Sequence, residues 1–331
     1  MISPAYKILK CKELVCPQFG DYWFSFIFDG RKFKHYSKNL RYTLTYDEFA
    51  VLPIILPSID EQHRIAAFLD EKCAHIDAVI EKTRASIDEY KKLKQAVITR
   101  AITKGIRQGR KMKDSGIEWI GEIPQEWNII PFRHVLNERI EKNNPIKSKE
   151  RLSLSIDLGV TLYSEKTTNL DRFKDDFEQY KLAHIGDLVM NSMNMIVGAT
   201  GISAYFGCVS PAYYTFYDDL DDHATAKYCE YLFRSKTMLR VLYSLGKGIY
   251  AIARGDDRVN TCRLKVARED LRKLALPIPS IEEQREILSC LDAKIAAIDR
   301  LIAKKEQLVA EMESCKKSLI YEVVTGKREV H

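Results

Sequence analysis

One stretch of this sequence is written twice, and the repeat limits the fold more than any single motif does. Pro57-Ser58-Ile59-Asp60-Glu61-Gln62 returns 222 positions later as Pro279-Ser280-Ile281-Glu282-Glu283-Gln284. The match runs on: Leu69-Asp70 with Leu291-Asp292, Ile76-Asp77 with Ile298-Asp299, Lys94 with Lys316, Thr103 with Thr325. Such self-similarity implies one structural unit used twice.

Each copy reads as one long helix. Ser58 with Glu61, and Ser280 with Glu283, have the spacing of a capping box, in which hydroxyl and carboxylate satisfy orphan amides reciprocally. No Gly or Pro interrupts either copy before Thr103 or Thr325, so nothing breaks the hydrogen-bond ladder. In the first copy Leu69, Cys73, Ile76, Ile80, Thr83, Ile87, Tyr90 and Val97 step by three and four. In the second, Leu291, Ile295, Ile298, Ile302, Val309, Met312 and Leu319 do the same. This is a heptad seam, and it predicts a coiled coil paired through Leu69, Ile76, Ile80 and Ile87 against Leu291, Ile298, Ile302 and Val309. At 1.5 Å per residue each helix is roughly 70 Å long.

The intervening ~170 residues form a body roughly 40 Å across if compact. Such a body caps one end of a helix pair more readily than it returns the chain the full helix length, so the expected pairing is antiparallel. A long helical hairpin that only dimerises fits the helices equally well at this point.

Lys and Arg total 52 against 46 acidic residues, a net charge of +6. That balance permits nucleic-acid contact without requiring it. The eight cysteines form no CxxC pair, which suits reduced thiols in a cytoplasmic protein and argues against a zinc site. There is no signal peptide and no apolar run of membrane length.

Residues 1–55 are short for a domain. Ile2-Ser3-Pro4-Ala5-Tyr6 recurs 207 positions later as Val209-Ser210-Pro211-Ala212-Tyr213, and Tyr36-Ser37 as Tyr243-Ser244. About 85 residues of the second globular unit precede that match, so the first unit corresponds only to the C-terminal half of the second. A partial domain of this kind lacks much of its core.

The offset grows from 207 to 222 after Ser37, so the second copy carries about 15 extra residues, within 245–260. Lys247, Tyr250, Arg254, Arg258 and Asn260 stand there in a Gly-punctuated run. Arg reads guanine bidentately, Asn reads adenine, and Lys grips phosphate. The competing reading is a solvated loop whose arginines pair with Asp256 and Asp257. Length variation at one place favours a recognition loop on a fixed scaffold. Asn191 and Asn194 are further candidates for contact with DNA.

Residues 105–116 form a basic linker in which Arg107, Arg110 and Lys111 could follow phosphates. Trp119 and Trp127 read as core anchors at the start of the second unit. Strand-like runs follow at 151–156, 187–191, 202–206 and 212–217, then a helical stretch at 224–245. No phosphate-binding GxxxxGK[ST] loop and no Gly-rich dinucleotide loop is present. Asn143-Asn144-Pro145-Ile146 matches the Asn-Pro-Pro-aromatic motif of amino-methyltransferases only superficially. His134, His184 and His223 lack an evident catalytic partner.

With these residues in view, the doubled Pro-Ser-Ile-x-Glu-Gln entry to a long helix resembles the conserved regions of specificity (S) subunits of type I restriction-modification enzymes. The run from Met112 to Pro124 (MKDSGIEWIGEIP) resembles the start of that family's target recognition domains. Gly186-Asp187-Leu188-Val189-Met190-Asn191-Ser192-Met193-Asn194 and Val209-Ser210-Pro211-Ala212-Tyr213 resemble their interior.

The resemblance implies an α+β fold, with mixed α/β target recognition domains joined by two long helices in an antiparallel coiled coil. The expected division is 1–55 as a partial first recognition domain and 56–106 as spacer helix one, followed by 107–276 as the second recognition domain and 277–331 as spacer helix two. It further implies a non-catalytic, cytoplasmic DNA-specificity subunit reading a bipartite double-stranded target, or one half-site given the truncation. Its partners would be methyltransferase (M) subunits, which bind S-adenosylmethionine, and restriction (R) subunits, which use ATP and Mg. No cofactor, metal or membrane is expected on this chain. The spacer length of about two turns of B-DNA suits two half-sites on one face of the duplex. The alternative is a helical scaffold, or a silent or rearranged cassette, without sequence-specific binding.

Overall fold

A computed structural model describes residues 10–29, 45–166, 176–248 and 264–330. Among these, the helices are α1 (Pro17–Phe28), α2 (Tyr46–Ala50), α3 (Ile59–Lys104), α4 (Tyr163–Lys166), α5 (Ala224–Arg234), α6 (Lys236–Leu245), α7 (Arg268–Lys273) and α8 (Ile281–Val324). The chain forms two compact units: Met1–Lys91 with Asp299–His331, and Lys92–Ile298. Both long helices cross the division.

In the first unit the heptad stripe is buried. Leu69, Cys73, Ile80, Thr83 and Ile87 of α3 are buried, Ile76 is half-buried, and Ile302 of α8 is buried with Val309 partly covered. Ion pairs on either side fix the direction. Asp77 holds Lys316 at 2.6 Å, Arg84 holds Glu313 at 2.6 Å, and Lys91 approaches Glu306 at 4.0 Å. The partner number falls as the α3 number rises, so α3 and α8 are antiparallel here. Exposed pairs of this kind set register more than stability. At the far end of this unit, Phe19 and Trp23 of α1 pack with Ile65, Leu69, Val323 and Val324.

The second unit is mixed α/β. Its largest sheet has four antiparallel strands in the order Asn137–Glu138, Tyr213–Tyr217, Leu188–Asn191, Thr200–Ile202. Phe132 meets Phe216 and Phe233 edge-to-face, at 4.7 and 5.0 Å between centroids, beneath α5. Such geometry places ring edges on ring faces. The same core takes in Ile98 and Ile102 of α3 and Ile287 and Leu291 of α8, with Ile298 buried nearby on the seam. Tyr228 is fully buried, and its hydroxyl lies 3.1 Å from the Ile102 carbonyl and 3.0 Å from that of Pro277. This one residue ties the end of α3 to the strand Ala275–Ile278.

Three local expectations are corrected. The helical stretch 224–245 is two helices, because Ser235 leaves the helical region (ψ 143°) and its Oγ caps α6 at the Met238 amide. Residues 203–206 are a turn, not a strand: Ser203 Oγ bonds to both backbone groups of Tyr205. Each Ser-x-x-Glu entry forms the serine half of its capping box, Ser58 Oγ accepting from the Glu61 amide and Ser280 Oγ from the Glu283 amide, each at 3.3 Å. The Glu283 carboxylate goes elsewhere, as described below.

The two units repeat one another at the level of single bonds. Tyr22 of α1 donates to Asp70 at 2.7 Å, and Tyr231 of α5 donates to Asp292 at 2.7 Å. The acceptors are the matched aspartates of the repeat. Gln62 and Gln284, both buried, donate to the carbonyls of Pro57 and Pro279. Thr103 and Thr325 each bond back four residues, to Thr99 and Tyr321, at 2.7 Å.

Candidate nucleic-acid interface

The extra loop of the second unit springs from a fixed base. Gly246–Lys247 pairs antiparallel with Lys265–Val266. Leu264 and Val266 are fully buried, the Val266 amide donates to the Ser192 carbonyl at 3.0 Å, and Tyr214 Oη donates to the Val266 carbonyl at 3.1 Å. Both ends of the loop are thereby held on the central sheet. Tyr250, Arg254, Arg258 and Asn260 lie outside the described residues.

The remaining candidates lie on the described residues. Lys247 is exposed, its ammonium 2.7 Å from Asp270; that contact holds the Asp270 carboxyl below its usual value. Asn191 ends a sheet strand and is buried, its Oδ1 accepting from the Met193 amide at 3.0 Å. It shapes the turn and is not displayed on the surface. Asn194 is exposed on that turn, with its carbonyl accepting from Val197 and Ala199.

Sequence reasoning missed the cations around the loop base. Arg268 and Arg272 of α7 both reach the buried carboxylate of Glu138, at 2.8 and 3.0 Å. Their spacing of four residues on a short helix was the available signal. Lys181 is nearby, donating to the Tyr213 carbonyl at 2.9 Å; burial holds its ammonium down, with Glu138 opposing and Arg268 reinforcing that effect.

Two other motifs are structural. Asn143 is fully buried; its amide nitrogen donates to the carbonyls of Ser148 and Phe177, and its oxygen accepts from the amides of Lys147 and Ser148. It staples a loop and is spent in doing so. The basic linker is likewise engaged within the second unit. Arg107 grips Glu286 in a fork, at 2.8 to 3.0 Å. Arg110 pairs with the buried carboxylate of Glu283, which also accepts from Trp127 Nε1 at 3.0 Å. These arginines hold the linker after α3 against the start of α8. Gly105 makes the turn possible: its φ is +70°, and a Cβ there would lie 2.8 Å from Arg110 Nη1 and 3.2 Å from the Trp127 ring. Among the described residues no group of three or more His, Cys, Asp or Glu is placed to hold a metal ion. None of the described helices is long and apolar enough to cross a membrane.

No protein-family model matches the chain. Curated proteins do. The type I restriction enzyme MjaVIII specificity subunit of Methanocaldococcus jannaschii is 23% identical over 294 residues, covering 85% of this chain and 63% of that one. A second chain from the same organism, named for the MjaX enzyme, is also 23% identical, over 295 residues, covering 84% and 60%. The chain is thus similar, over more than four-fifths of its length, to type I restriction enzyme specificity subunits. It spans about six-tenths of the length of these relatives. A chain solved in work on complex assembly and conformational transition of the type I R-M system shares the fold, with a TM-score of 0.65 at 16% identity. That superposition covers 94% of this chain and 72% of the other.

Proposed function

We propose that the chain is a DNA sequence-specificity subunit of a type I restriction-modification system, with its recognition domain in residues 107–276. The homology to specificity subunits carries this reading. The cations Lys247, Arg268 and Arg272, on the residues that flank the insertion 249–263, support it. On this reading the chain has no chemistry of its own and works in the cytoplasm on double-stranded DNA. Methyltransferase subunits with S-adenosylmethionine, and restriction subunits with ATP and Mg, dock on it. On this reading the second unit reads one half of a bipartite target.

The test is binding to duplexes carrying the target and to scrambled ones, with the methyltransferase subunit present. The specificity reading expects discrimination by a factor of about 10³ or more. One feature favours a second reading, a scaffold that has lost sequence recognition: the cations at the loop base are already paired with Glu138 and Asp270. A salt-dependent but sequence-blind signal supports that scaffold and overturns the first reading.

A further inference from the structure

Within the second unit, one face of α3 is built of cations. Lys92, Ala96, Arg100 and Lys104 follow one another at four-residue steps, each about 6 Å along the helix axis. Lys236, the first residue of α6, stands across an open groove of about 780 Å³ that these residues line with Thr99 and Thr103. No Asp or Glu lines it. Lys92, Arg100, Lys104 and Lys236 are exposed. Arg100, Lys104 and Lys236 pair with no carboxylate among the described residues. A helix face that is merely solvated intersperses charges of both signs.

Helix stability accounts for only part of this. A cation in the last turn of α3 suits the negative end of the helix dipole, which explains Lys104. Lys236 is the opposite case. It stands at the N-terminus of α6, where the dipole is already positive, and the first turn of that helix holds no acidic residue. A cation there works against the helix, and an anion from outside the chain would offset the cost.

The repeat supplies an independent comparison. Two hundred and twenty-two positions on, α8 keeps Lys94 as Lys316 and Thr103 as Thr325. It does not keep this face: Lys92 is matched by Ser314, Ala96 by Ser318 and Arg100 by Glu322. The row of cations is therefore no requirement of the repeated helix.

The lining also selects the occupant. Protein interfaces are anchored by aromatic and large apolar side chains in pockets, and Ala96 is the one apolar residue in this lining. Cations one helical turn apart on an open face suit the phosphates of a nucleic-acid backbone.

We infer that this groove grips the sugar-phosphate backbone of double-stranded DNA through Arg100, Lys104 and Lys236, adding affinity without reading sequence. The inference rests on the DNA reading above, and it assigns to α3 and α6 a contact outside residues 249–263.

The test uses the full chain with its methyltransferase subunit and measures binding to target and scrambled duplexes across a range of salt. The parent is compared with the triple variant Arg100→Gln, Lys104→Gln, Lys236→Gln. Affinity for both duplexes should fall by one common factor, about tenfold or more near physiological salt. The slope of log K against log salt should shrink by about 0.9 for each cation removed. The charge-keeping triple Arg100→Lys, Lys104→Arg, Lys236→Arg should keep the parental slope. An unchanged slope in the glutamine variant overturns the inference. So does an equal loss in the charge-keeping variant, because charge would then not be the cause, and so does a loss confined to the target duplex. Weakened docking of the methyltransferase subunit without DNA, read by sedimentation, identifies an acidic protein surface as the occupant and overturns it as well. The DNA reading fails separately. A parent that binds both duplexes alike, with a slope that still shrinks in the glutamine variant, removes sequence recognition and leaves the groove standing. A parent that binds neither duplex overturns both.

Discussion

At the scale of single residues, Glu283 joins the linker after α3 to the start of α8 within the second unit. Burial pushes its carboxyl up, but the hydrogen bonds from Arg110 and Trp127 and the nearby charge of Arg107 outweigh burial and hold it below the ordinary 4.5. A carboxyl lowered in the folded state contributes stability above its unfolded pKa and loses it as pH falls through the folded value. The second unit should therefore weaken on acidification below about pH 4.5, followed by thermal unfolding across pH. Glu283→Gln should flatten that acid limb. Glu283→Ala leaves Arg110 without its buried partner and should cost about 3 kcal/mol at neutral pH, measured by urea unfolding. A loss under 1 kcal/mol would show that Glu126, which also reaches Arg110 at 3.3 Å, is enough by itself. A glycine with left-handed backbone follows the end of each long helix. Gly326→Ala should cost about 1 kcal/mol from its left-handed backbone alone. Gly105→Ala should cost distinctly more, because the added carbon meets Arg110, Glu283 and Trp127. Equal losses in the same unfolding assay would contradict the packing described for Gly105.

At the scale of elements, the seam is the part of the fold most legible in the sequence. A period of seven with no Gly or Pro fixes a long helix and its buried stripe, and the buried Leu69, Ile80, Ile87, Leu291, Ile298 and Ile302 fall on it. Ile80→Ala should lower stability by about 2–4 kcal/mol, against nearly nothing for Glu81→Ala on the exposed face. Comparable small losses at both positions, by calorimetry, would mean the stripe is not packed. The short elements were harder to read because their limits are set by side-chain bonds and not by periodicity. Ser235 breaks the 224–245 stretch by capping α6, and Ser203 folds 203–206 into a turn. The candidate site was legible in part. Lys247 and Asn194 are both exposed, but the burial of Asn191 and the Glu138 cluster depend on strand order, which no local pattern reveals.

At the scale of the molecule, the repeat makes each unit a reference for the other. One unit carries a four-stranded sheet and a closed core; the other carries matching helices and the matching bonds of Tyr22, Gln62 and Thr325. The clearest test of the specificity reading is a methylation-site map of DNA modified by the chain with its methyltransferase subunit, compared between the parent and Arg254→Ala. The account predicts a defined motif in the parent. It also predicts relaxed preference at one base in the variant, a loss of about 1–3 kcal/mol of discrimination there. A parent that methylates without any motif would contradict the specificity reading. A motif untouched by Arg254→Ala and by replacement of the whole 249–263 loop would contradict the place assigned to recognition.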